Sequence, residues 1–150
     1  MAATFKSAES GVLIDESATI TDVAEILNNC FIDVEIIDDG TLSIQQEFTV
    51  GIERTARGFL RFVVFISAQP YLEQHSTVEV LEAVNTENVS LIAVRSTLTE
   101  LEEPVLRFDH YQATSGGVSA KNFISLLREF QAIVRTAIAD IGRMLEAVEM

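Results

Sequence analysis

The last thirty residues constrain this chain more than any other stretch. From Ser119, a good N-cap residue, to about Val148, the residues Phe123, Leu126, Leu127, Phe130, Val134, Ala137, Ile138, Ile141 and Leu145 recur at helical spacing. At 3.6 residues per turn they fall within an arc of roughly 120°. Lys121, Arg128, Arg135 and Arg143 lie opposite. The spacing predicts one long amphipathic helix. Such a helix is stable in water only when its apolar stripe is laid on a second layer.

The rest of the chain reads as that layer. Ile32 to Ile37 alternates as a strand, and Asp38-Asp39-Gly40 signals a tight turn. A return strand then places Leu42, Ile44, Phe48, Val50 and Ile52 on one face, with Ser43, Gln45, Glu47 and Thr49 on the other. That is a half-buried hairpin. After a turn at Arg54 to Gly58, Phe59 to Ser67 is apolar on both faces and reads as a central strand that Gln69-Pro70 ends. Two further strands are expected at Leu91 to Leu98 and Val105 to Tyr111, linked through Glu100, Glu102, Glu103 and Pro104. Thr114-Ser115-Gly116-Gly117 turns the chain into the last helix.

Two shorter helices complete the pattern. One is capped by Thr19 or Thr21, buries Val23, Ile26 and Leu27, and ends near Asn28-Asn29. The other runs from near Ser76 to about Glu87 and buries Val78, Leu81 and Val84. Met1 to about Ser10 reads as a frayed end, with flexibility extending to about residue 14. The expected order is αβββαββα. This is an α+β fold in a single domain over residues 1–150, a five-stranded antiparallel sheet with helices on one face.

Charge and cysteine content narrow the function. Twenty-three acids against 10 bases leave a net charge of −13, which repels phosphate backbones and anionic membrane surfaces. No nucleic-acid or membrane partner is expected. Cys30 is the only cysteine, so no intrachain disulfide forms and a reducing cytoplasm fits. The N-terminus lacks the apolar core of a secretory signal, and no run approaches the length of a membrane span.

Catalytic chemistry finds little footing. His75 and His110 are far apart, Cys30 has no neighbouring cysteine, and no metal-ligand spacing occurs. Asp109 and His110 are adjacent on a strand and so point to opposite faces. Gly116-Gly117 can present N–H groups to an anion, but no phosphate-binding glycine pattern surrounds it, and glycine is ordinary punctuation there. The four bases on the last helix are flanked by Glu129, Asp140 and Glu146, as on a solvated face. Asn85 and Asn88, three apart on the middle helix, read as a cap for its end. No cofactor, metal or enzymatic activity is expected. The alternative is an enzyme or small-ligand protein with a pocket between the last helix and the sheet, which would place two or more of His75, His110, Asp109 and Arg107 in one cleft with shifted pKa values.

The second half resembles a known family. Leu81-Glu82-Ala83-Val84-Asn85-Thr86-Glu87-Asn88 is similar to the VNxxN helix of the YbjN-domain family, and Gly116-Gly117-Val118-Ser119 leading to Phe123, Leu126, Leu127 and Phe130 resembles its closing segment. Tryptophan, frequent in that family near the second Asn, is absent. The resemblance covers about Thr19 to Ile141 in element order and Leu81 to Phe130 in residue detail. It implies a bacterial regulator of sensory transduction with a fold like that of type III secretion chaperones, which are acidic, often dimeric and bind extended segments of partner proteins. The expectation is therefore a cytoplasmic protein-interaction module that binds a protein partner and forms a homodimer. Its interface residues are expected among Phe59, Val63, Phe65, Val94, Asn85 and Asn88.

Overall fold

The structure, a computed structural model, describes residues 13–37, 40–91, 94–99 and 103–148. Along them come β1 (Leu13–Ile14), α1 (Ile20–Asn29), β2 (Val34–Ile37), β3 (Thr41–Gln45), β4 (Thr49–Arg54) and β5 (Leu60–Ser67). Next are α2 (Gln69–Leu72), α3 (Thr77–Ser90), β6 (Arg95–Thr99), β7 (Val105–Gln112), β8 (Val118–Ser119) and α4 (Ala120–Val148). The sequence readings at Met1 to Ser10, Asp38-Asp39 and Glu100 to Glu102 lie outside the described residues.

The main sheet has six strands, not five, in the order β2-β3-β4-β5-β7-β6. The extra strand comes from the expected return strand, which folds back on itself. Leu42 pairs with Ile52 and Ile44 with Val50, across a turn at residues 46–48. A small second sheet pairs β1 with β8. The chain divides into two compact units, one of Met1–Phe62 with Tyr111–Glu129 and one of Val63–His110 with Phe130–Met150.

In the first unit, Thr19 caps α1 through a reciprocal box. The Thr19 hydroxyl accepts the Asp22 N–H at 3.1 Å, and the Asp22 carboxylate accepts the Thr19 N–H at 2.9 Å. The helix lies against β2 and β3, burying Val23, Ala24, Ile26 and Leu27. Leu42, Ile44, Val50 and Ile52 are fully buried on the matching sheet face. Phe62 meets Phe123 of α4 edge-on at 5.3 Å, so the even-numbered set of β5 faces the helix. The Arg54 guanidinium knits the loops together: it donates to the carbonyls of Gly58 (2.7 Å), Asp15 (2.9 Å) and Ala18 and to the Thr114 hydroxyl (2.9 Å). Burial pulls its pKa below the ordinary value, while Asp15 and Glu16 push it back up.

The second unit carries α3 on β6. Ser76 and Glu79 form the same kind of reciprocal cap, with both hydrogen bonds at 3.1 Å. The buried face of α3 is Val80, Ala83, Val84 and Glu87, with Leu81 half-buried, whereas Val78, expected inside, is exposed. The helix therefore sits rotated from the facing that hydrophobicity alone favours. From Phe130 onward α4 buries Val134, Ala137, Ile141 and Leu145 as its spacing requires.

Candidate interaction surfaces

Asn88 does not cap α3. Its side chain reaches across to β6, donating Nδ2–H to the Ser96 carbonyl and accepting the Ser96 N–H at Oδ1, both at 2.7 Å. The Ser96 hydroxyl donates to the same Oδ1 at 2.8 Å. β6 is a terminal strand of the sheet, and in its antiparallel pairing the peptide groups of alternate residues turn away from β7. Asn88 supplies a substitute peptide partner to one such residue. The neighbouring Asn85 is solvent-exposed. The two Asn of the motif thus have different surroundings.

The sheet face turned away from α4 in this unit is defined by alternation. His110 packs its ring 6.5 Å from that of Phe130, so Asp109 and Arg107 face the other way. Asp109 is buried between two guanidinium groups, with Arg95 Nη2 and Arg107 Nε each 3.4 Å from Oδ2. The Arg107 Nε–H makes no hydrogen bond, so its attraction to Asp109 is ionic. Val63 and Phe65 belong to the same face. Val63 is buried, and Phe65 is 54% exposed. Val94 is buried beside β6.

Other expected residues are dispersed. His75 sits near Glu79, with Nδ1 3.8 Å from its carboxylate. Asp109 and Arg107 are together, and His110, next along β7, is turned to the opposite face of the sheet. Cys30 is a free thiol at the end of α1. Among the described residues no three His, Cys, Asp or Glu side chains are grouped to hold a metal ion. No helix among them is long and apolar enough to cross a membrane. In the first unit Phe59 and Tyr111, both exposed, line a shallow cleft of about 440 Å³ with Thr55, Ala56 and Arg57.

Two features were missed in the sequence. One is the buried acid Glu87, which lines an open groove of about 650 Å³ with Thr86, Val89, Asp140, Arg143, Met144 and Ala147. Desolvation raises its pKa, and Arg143 partly opposes the shift. The other is the exposed apolar set Phe31, Ile36 and Ile37 beside β2. A phenylalanine directly after Asn-Asn-Cys at a helix end was the available signal for the second.

Comparison with known proteins agrees with this architecture. The family model described as "Putative bacterial sensory transduction regulator", YbjN, matches residues 22–143. No curated protein matches the chain. The crystal structure of YbjN from E. coli, titled "a putative transcription regulator", superposes with a TM-score of 0.66 at 14% identity, covering 87% of this chain and 91% of that one. At that identity the likeness is one of fold. The family match takes in the Asn88 clasp, all six strands of the main sheet and most of α4, and the chain belongs to the YbjN family.

Proposed function

We propose that the chain is a non-enzymatic, chaperone-like or regulatory protein-interaction module of the cytoplasm, and that it works as a homodimer. The observation that carries this is Phe65. A phenylalanine on a strand flanked by β4 and β7 lies in the middle of the sheet, yet 54% of it faces solvent. An antiparallel sheet commonly turns one face to water, but that face is then polar, and exposed aromatic area in the middle of it marks an interaction surface. The charges beside it favour a second copy. The chain as a whole carries −13, but on this face Arg95 and Arg107 outnumber Asp109, so like-charge repulsion between copies is reduced here. Isologous pairing is the commonest way to close such a surface.

Light scattering over a dilution series tests it. The expected mass is twice the chain mass of 16.5 kDa, and Phe65→Lys should return the monomer with an unchanged circular dichroism spectrum. A monomer at every concentration, or a dimer indifferent to Phe65→Lys, overturns the reading.

A further inference from the structure

The sheet ends differently at its two edges. At β6 the Ser96 peptide is occupied by Asn88. At the other edge β2 pairs with β3 alone, so alternate N–H and C=O groups along it point away from its only described partner. Proteins usually blunt such an edge with Lys, Pro or a bulge. Phe31 to Ile37 contains no lysine and no proline, and its pairing register with β3 runs without a bulge.

Three exposed apolar residues adjoin this edge: Phe31 at 98%, Ile36 at 52% and Ile37 at 47%. Phe31 is also in the left-handed region, at φ 62°. It occupies the first position past the cap of α1, where the Phe31 N–H donates to the Asn28 carbonyl and the Ile32 N–H to the Leu27 carbonyl, both at 3.0 Å. Glycine is the usual residue in that motif. An aromatic here is strained and solvated at once, so nothing inside the described fold rewards it. Contact with another molecule would.

The charges select the occupant. Residues 31–37 hold the acids Asp33 and Glu35 with no base, and both are exposed. Pairing two copies of β2 would bring the acids of both onto one seam, which disfavours a second copy. The same acids attract a basic strand. Glu35 and Ile37 share one face of β2, and Val34 and Ile36 share the other. A strand alternating Lys or Arg with Val or Ile satisfies both faces at once. We propose that β2 is a docking edge for an extended, basic segment of another protein, which adds as the next strand of the sheet. This surface is independent of the face at Phe65.

Fluorescence anisotropy with labelled synthetic peptides tests the proposal. A short peptide alternating Lys and Val should bind the full chain, and salt should weaken it. An alternating Glu–Val peptide, and a Lys–Val peptide with its central Val changed to Pro, should each bind about tenfold more weakly or worse. The double variant Asp33→Lys with Glu35→Lys should exchange the preference toward the Glu–Val peptide. Phe65→Lys should leave peptide binding intact, which separates this site from the dimer surface. Equal binding of the Pro-interrupted peptide would reduce the effect to charge attraction and overturn strand addition. An unchanged preference in the double variant, or no binding of any peptide, overturns the docking edge. If no peptide binds and Ile36→Lys turns a dimeric protein into a monomer, the occupant is a second copy and the proposal fails.

Discussion

Asn88 and Ser96 are joined as two strands would be: the carboxamide on α3 exchanges both a donor and an acceptor with a single peptide unit of β6, each at 2.7 Å. Removing it strands the Ser96 N–H and C=O in a half-buried seam and unpins the helix from the strand. Asn88→Ala should cost about 2–6 kcal/mol, the sum of two such losses at the usual magnitude. Asn85→Ala, at an exposed site, should stay within about 0.5 kcal/mol. Urea melts of both variants check the contrast. Equal penalties would mean that the clasp is not what holds α3 to β6.

The long helix buries one face along its length. Phe130 is 2% exposed on its inner face, and Arg128, on the outer face, is exposed. Phe130→Ala should cost about 3–5 kcal/mol, as for other buried aromatics. Arg128→Ala should cost under about 0.5 kcal/mol. The same denaturation series measures both, and a reversed order would mean that the helix is turned the other way.

Glu87 gives the chain a pH dependence of definite sign. Burial raises its folded pKa above the ordinary 4.5, with Arg143 opposing. An acid whose folded pKa is raised costs stability wherever it is ionised in the folded state. That cost fades as pH falls through the folded pKa and is gone below 4.5, where both states are protonated. Glu87→Gln should therefore be more stable than the parent at neutral pH, with the difference vanishing on acidification. Denaturation midpoints across the pH range decide it. A variant less stable at neutral pH would show that the attraction to Arg143 outweighs desolvation.

What the sequence could reveal depended on how uniquely each pattern maps to a structure. The spacing from Phe123 to Leu145 admits only one facing, and α4 adopts it. Residues 42–52 are different. Leu42 pairs with Ile52 and Ile44 with Val50 across an odd-length turn, so the apolar set stays in phase whether the chain runs on or folds back. Gln46-Glu47-Phe48 carries no Gly, Pro, Asn or Asp to betray the reversal. On α3, apolar spacing favours Val78, Leu81 and Val84, but the buried face includes the acid Glu87 and the small Ala83. The sequence singles out Asn88 but not its clasp to Ser96, because a long-range clasp and a helix cap use the same residue type.

Phe31 offers the sharpest separation of stability from interaction. Its backbone sits at φ 62°, which costs an L-residue about 1–2 kcal/mol and costs glycine nothing. Its side chain is 98% exposed, so truncation leaves no cavity. Glycine adds back some unfolded-state entropy, about 0.5–1 kcal/mol. The balance for Phe31→Gly is a gain in stability of up to about 1.5 kcal/mol, a rise in melting temperature where an aromatic deletion would ordinarily cause a fall. Phe31→Ala keeps the strained backbone and loses the ring, so it should gain nothing. The two variants together assign the effect to backbone conformation, because both lack the ring and only one relieves φ. Calorimetric melts of the parent and both variants make the comparison. If Phe31→Gly is destabilised by as much as a buried aromatic would be, the ring is packed against this chain and the case for an outside contact at β2 is lost. If it is stabilised while the Lys–Val peptide binds less tightly, the strain at Phe31 is being held for that contact.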